Sequence, residues 1–164
     1  MTIYEKEYLT KLVNIDIVKS GKTGGDLDML ITKETDYALR ILRSLSCMEN
    51  LTVGELSSRE SLPQKFAYKI VKKLERAGFI KILRGANGGC SLDADLRTVS
   101  LYDLSAAMEE KVQISSCMSS SYECEWRQAH GGVCTVHIQL AKIQKAVDRE
   151  FRSRSLHWIL FGKE

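Results

Sequence analysis

The 164-residue sequence lacks several features that would each define a class of function. No run approaches the ~20 apolar residues that a membrane-spanning helix needs. Its first 22 residues, MTIYEKEYLTKLVNIDIVKSGK, are too interrupted by charge for a secretory signal. A cytoplasmic chain without membrane association is the expectation. A phosphate loop is also missing: SGKTGG at 20–25 has the Lys and Thr, but Asp16 stands where the leading glycine of G-x4-G-K-T belongs. Cysteine and histidine come together only between positions 117 and 138, and no convincing nucleophile and base can be paired elsewhere, so an enzyme is not expected. Acid is scarce in one stretch. Residues 61–87 hold Lys65, Lys69, Lys72, Lys73, Arg76, Lys81 and Arg84 against Glu75 alone. With a whole-chain charge of +3, that segment carries +6 and the remainder −3.

An apolar content of 44% in a chain of this length supports one real core with a small appended segment. ETDYALRILRSLS places Ala38, Leu39, Ile41, Leu42 and Leu45 on one helical face, a first core helix. Thr52 with Glu55 three residues on is a capping box for a short helix over 53–60. The basic stretch predicts a helix over 63–77, with Pro63 at its first position and Gly78 just past its end. At ~100° per residue, Lys65, Lys69, Lys72 and Arg76 fall within ~60° of one another, and Phe66, Ile70, Leu74 and Ala77 form a separate apolar face. A one-signed stripe on one helix is the electrostatic footprint of a phosphate-binding surface. Next come two strand-like runs, Phe79 to Leu83 and Cys90 to Leu92, around Gly85, Asn87, Gly88 and Gly89, which suit a hairpin. Helix, turn, basic helix and hairpin in that order make a winged helix-turn-helix, with Arg84 placed to reach a phosphate or the minor groove.

These segments resemble the IscR and NsrR group of winged-helix transcription regulators, many of which carry iron-sulfur clusters. The resemblance covers roughly residues 29 to 160. ITKETDYALRILRSLS resembles the family's first helix, LPQKFAYKIVKKLERAGFIKILRGANGGCSL its recognition helix and wing, and VSLYDLSAAMEE the helix that follows. The resemblance implies that Lys65, Tyr68 and Lys69 meet base edges of double-stranded DNA and that Arg84 enters the minor groove. Ala86 and Asn87 replace the proline and glycine usual in the wing, and Cys90 sits where an aromatic is common. A DNA-binding regulator, with repression the expected outcome, follows from the resemblance.

Cys117, Cys124 and Cys134 are spaced C-x6-C-x9-C, wider than zinc knuckles, with Gly131 and Gly132 able to fold the loop back. Soft thiolates in an open loop suit an iron-sulfur centre better than zinc, and uncoordinated redox thiols are the remaining choice. In the resembling family three cysteines of this loop bind a [2Fe-2S] or [4Fe-4S] cluster. His137 and Asp36 are both candidates for a fourth ligand, with His130 a weaker one, and His157 is read as surface or packing. Cys47 and Cys90 are read as core cysteines. Val136, Leu140, Ile143, Val147 and Phe151 define a long amphipathic helix, and the resemblance favours its pairing with a second copy, so that a homodimer meets a pseudo-palindromic operator. The expected architecture is mainly α with a small β wing: an N-terminal extension over 1–28, unless translation starts at Met29; a winged helix-turn-helix domain over 29–112; a sensor loop over 113–135; and a dimerisation helix and tail over 136–160. The competing expectation is a cluster-free regulator sensing thiol oxidation, zinc or a partner protein.

Overall fold

A computed structural model describes residues 30–85, 88–108 and 112–162. The expected extension over 1–28, the start at Met29 and the wing-tip residues Ala86 and Asn87 lie outside the described residues.

Helix α1, Lys33–Cys47, begins where the Thr32 hydroxyl accepts the backbone N–H of Glu34 at 3.2 Å. Ala38, Ile41, Leu42 and Leu45 are buried along its inner face, as their spacing predicts, together with Thr35 and Ser44. Leu39 is only partly buried. Helix α2, Val53–Arg59, carries the expected capping box: Thr52 caps the Glu55 N–H, and the Glu55 carboxylate accepts the Thr52 N–H at 2.7 Å. Such a box ties off two donors that no helical carbonyl can reach. Helix α3 runs Gln64–Arg76, one residue shorter at each end than expected. Pro63 keeps an extended backbone (ψ 124°) and serves as the N-cap, Ala77 is the C-cap, and Gly78 leaves the helix at φ +77°, a conformation costly for a side chain with a Cβ.

Strands β1, Ile80–Leu83, and β2, Gly89–Leu92, form an antiparallel hairpin in which Ile80 faces Leu92 and Leu83 faces Gly89. Where the hairpin turns, the backbone is tight: a Cβ on Gly88 would lie 2.6 Å from the Leu83 carbonyl oxygen. Leu51 exchanges two backbone hydrogen bonds with Cys90 (3.0 and 2.7 Å), which sews the chain before α2 onto β2. Helix α4, Leu101–Ala107, starts at a second capping box, Ser100 with Asp103. A single 3-10 turn at Ser116–Met118 and helices α5 (Glu125–His130), α6 (Thr135–Ser153) and α7 (Leu156–Phe161) complete the chain. The architecture is therefore mainly α with a two-stranded wing, as expected.

The core gathers α1, α2, α3, the hairpin and α4 around Ile41, Leu42, Leu56, Ile70, Leu74, Ile80 and Leu104. Burying one side chain of this kind contributes about 1.5–3 kcal/mol. Cys90 belongs to this core, and burial pushes its thiol up from the ordinary value, so it stays protonated. Cys47 does not: at the last position of α1 it is exposed, a correction to its reading as a core cysteine. Helix α6, 19 residues long, buries no residue within the chain, and Val136 and Ile143 on its apolar stripe are 66% and 52% exposed. The chain then turns at Arg154 and comes back. The Leu156 N–H donates to the Val99 carbonyl and that of His157 to the Leu96 carbonyl, both at 2.9 Å, and Leu156 is buried in the same core as α1.

Candidate nucleic-acid interface and thiol segment

Helix α3 has two opposed faces. Its buried residues are Ala67, Ile70, Val71 and Leu74, whose mean direction on a helical wheel lies about 180° from the Lys65, Lys69, Lys72 and Arg76 stripe. Two residues of the expected apolar face are corrected. Phe66 is 47% exposed and Ala77 is exposed, because both sit at the flank of the true buried sector. Phe66 instead packs edge-on against Tyr37 of α1, with ring centroids 6.3 Å apart. Lys65, Tyr68, Lys69, Lys72 and Arg76 are all exposed, so the helix turns its whole basic stripe outward. Arg84 is exposed directly after β1, at the turn end of the hairpin. Lys81, also in the wing, is ion-paired to Asp93 at 2.5 Å.

One acidic side chain enters this basic surface, and nothing in its local sequence signals it. Glu34, in the first turn of α1, is ion-paired through one carboxylate oxygen to Lys69 and through the other to Lys73 at 2.8 Å. Lys73 is turned inward, 13% exposed, and also donates to the Met108 carbonyl at 2.8 Å. Burial opposes ionisation of Glu34, but the hydrogen bonds and charges of Lys69 and Lys73 outweigh it and hold the carboxyl below its ordinary value. The partners lie 35 and 39 positions away in the chain, so only the fold brings them together.

The three thiols of the other candidate site sit on separate small elements. Cys117 is in the 3-10 turn, its sulfur 3.3 Å from the Ser115 hydroxyl; Cys124 is the N-cap of α5; Cys134 is the N-cap of α6, accepting the His137 backbone N–H at 3.5 Å. Each is partly buried and none is in a disulfide. The entry to this segment is fixed to α6 by Gln144, which accepts from the Ile114 N–H at 2.9 Å and donates to the Val112 carbonyl at 2.6 Å. His130 stacks on Trp126 with centroids 4.9 Å apart. Asp36 is ion-paired to Arg40 at 2.8 Å, and the His157 ring lies 5.0 Å from that of Phe161. Among the described residues, no three Cys, His, Asp or Glu side chains gather closely enough to hold a metal ion. The donor set, three accessible thiols, fits an iron-sulfur group in chemistry, and the arrangement within one chain does not bring them into one site.

The Rrf2 family, described as "Iron-dependent Transcriptional regulator", matches residues 31–161, which spans both α3 and the thiol segment. The chain belongs to the Rrf2 family. Its relatives include a putative Rrf2-like regulator of Rhodobacter capsulatus, 31% identical over 56% of this chain and 65% of the other. Another is the regulator NsrR of Geobacillus kaustophilus, 27% identical over 66% of this chain and 69% of the other. The chain thus spans less than two thirds of the length of the Rhodobacter protein. Among solved structures, T. potens IscR superposes with a TM-score of 0.61 at 17% identity, covering 85% of this Rrf2 chain and 92% of that one. The winged-helix fold and the resemblance to IscR and NsrR are thereby established, and the family is one of regulators rather than enzymes. No described helix is long and apolar enough to cross a membrane.

Proposed function

We propose that this Rrf2 chain is a cytoplasmic transcription regulator, a repressor in outcome, that binds double-stranded DNA through α3 and the wing. One observation carries the reading: the buried face of α3 lies opposite an exposed basic stripe, which leaves the helix free to enter a major groove about 12 Å wide while its core face stays packed. Lys65, Tyr68 and Lys69 would meet base edges, Lys72 and Arg76 would meet phosphates, and Arg84 would reach the flanking minor groove. The apolar stripe of α6, unburied in one chain, supports a homodimer that sets two α3 helices on successive turns of a pseudo-palindromic operator.

The thiol segment is proposed as the regulatory site. Cys117, Cys124 and Cys134 would hold an iron-sulfur cluster, [2Fe-2S] or [4Fe-4S], with Asp36 or His137 as fourth ligand; the family description and three accessible thiols between α4 and α6 support this. Bound there, the group would supply an electron-accepting centre sensitive to oxidants. Gln144 ties the start of that segment to α6, so a change in the segment would be felt at the proposed dimer helix. The separation of the thiols supports a second reading, a cluster-free regulator acting through thiol oxidation, zinc or a partner protein.

Fluorescence anisotropy with a duplex selected from a random pool tests the DNA reading. Replacing Lys72 and Arg76 together by Met should flatten the plot of log K against log salt by about 1.8, at ~0.9 per phosphate contact. An unchanged slope would remove α3 from the interface.

A further inference from the structure

Lys69 has the right place on α3 to strengthen DNA binding, and it is already engaged. Its ammonium is ion-paired to Glu34 although its side chain is 54% exposed. The second oxygen of Glu34 is held by Lys73, which the Met108 carbonyl fixes in turn, so the carboxylate cannot swing away. Its backbone is anchored too, by the Thr32 cap at the start of α1. An anion in the first turn of a helix is further stabilised by the positive end of the helix dipole. The result is a fixed negative charge built into the edge of a basic surface, held where a DNA phosphate would compete for the same cation.

We propose that Glu34 is an internal counter-ion that withholds Lys69 from the DNA backbone and so weakens sequence-independent binding. The inference rests on the reading that α3 faces DNA. Binding to arbitrary sequence is held by phosphate contacts and the counterions they release. There, trading the Glu34 ion pair for a phosphate contact gains little, and Lys69 stays with Glu34. At the operator the exchange is different, because a lysine that leaves Glu34 can donate to base-edge acceptors in the major groove. Glu34 therefore raises the ratio of specific to non-specific affinity by lowering the latter. Lys73, turned inward, is the hinge of the device and adds no phosphate contact of its own.

The test is the salt dependence of binding to a fluorescent random-sequence duplex. Glu34→Gln should tighten binding and steepen the slope of log K against log salt by about 0.9, the increment for one added phosphate contact. Adding Lys69→Met to Glu34→Gln should cancel that increment. Since Glu34→Gln takes the carboxylate from the inward cation of Lys73 and leaves it the Met108 carbonyl, the variant Glu34→Gln with Lys73→Met supplies the same measurement without that burden, and it should also show the steeper slope. An unchanged slope in both Glu34 variants, or an increment that survives Lys69→Met, overturns the proposal. Failure of the underlying reading looks different: the wild-type slope would then be insensitive to replacing Lys72 and Arg76, and the inference would fall with it.

Discussion

The basic helix α3 and the thiol segment that follows α4 are built in opposite ways. In α3 every side chain of the proposed interface stands on a helix whose other face is locked into the core by Ala67, Ile70, Val71 and Leu74, all 0–2% exposed. Residues 113–135 contain no buried residue at all, and their three cysteines are divided among a 3-10 turn and two helix caps. The first surface is ready before its ligand arrives. In the second, nothing among the described residues brings the thiols together, and the order is left to a ligand, an oxidant or a second copy. A sensor benefits from this difference, because the segment that must respond is the one with least packing to oppose a change.

The largest effect that would sharpen the contrast is on stability. Leu74→Ala removes a fully buried side chain beneath the basic stripe and should cost about 2–5 kcal/mol in urea unfolding, with DNA binding lost alongside the fold. Replacing Cys117, Cys124 or Cys134 singly by Ala should shift stability by less than ~1 kcal/mol, as expected for partly exposed positions, while eliminating iron uptake. If a cysteine variant destabilises the protein as much as Leu74→Ala, the two regions are not built differently and the comparison fails.

A smaller effect probes the seam that supports α3. Glu60, the C-cap of α2, accepts from the Ser44 hydroxyl and from Arg43 of α1, at 2.5 and 2.6 Å. Burial opposes its ionisation, yet the Ser44 and Arg43 hydrogen bonds outweigh it and hold the carboxyl below its ordinary value. A carboxyl lowered in the folded state contributes stability above its unfolded value, about 4.3, and loses it as pH falls through the folded value. The gap in Tm between wild type and Glu60→Gln should therefore be present at neutral pH and close on acidification below about pH 4. A gap that is constant from neutral to acid pH would show that the ionised form of Glu60 contributes nothing.

How far the sequence could be read follows the range of the interactions. The capping box at Thr52 and the glycine exit after α3 are each written within four residues, and the expected bounds of α2 and α3 agree with the structure to within one residue. The charged side of α3 was legible because charge is counted directly. Its apolar side is displaced, with Phe66 and Ala77 expected in place of Ala67 and Val71, since which flank of the apolar sector is covered depends on how α1 and α2 pack against it. Cys47 is exposed because its helix ends there and no described residue buries it. Glu34 was invisible, because its role exists only once α1 and α3 meet. The return of α7 to the core depends on two backbone hydrogen bonds to the residues before α4, a signal that side-chain patterning does not carry.

The central claim, that the thiol segment becomes a site when an iron-sulfur group is bound, is tested most directly by an anaerobic absorbance spectrum with iron, sulfide and zinc analysed on the same sample. Visible bands with stoichiometric iron and sulfide are expected, and they should be absent from the Cys117→Ala protein. Stoichiometric zinc, or a colourless metal-free protein after anaerobic reconstitution, would contradict it and transfer the sensing role to thiol chemistry or a partner.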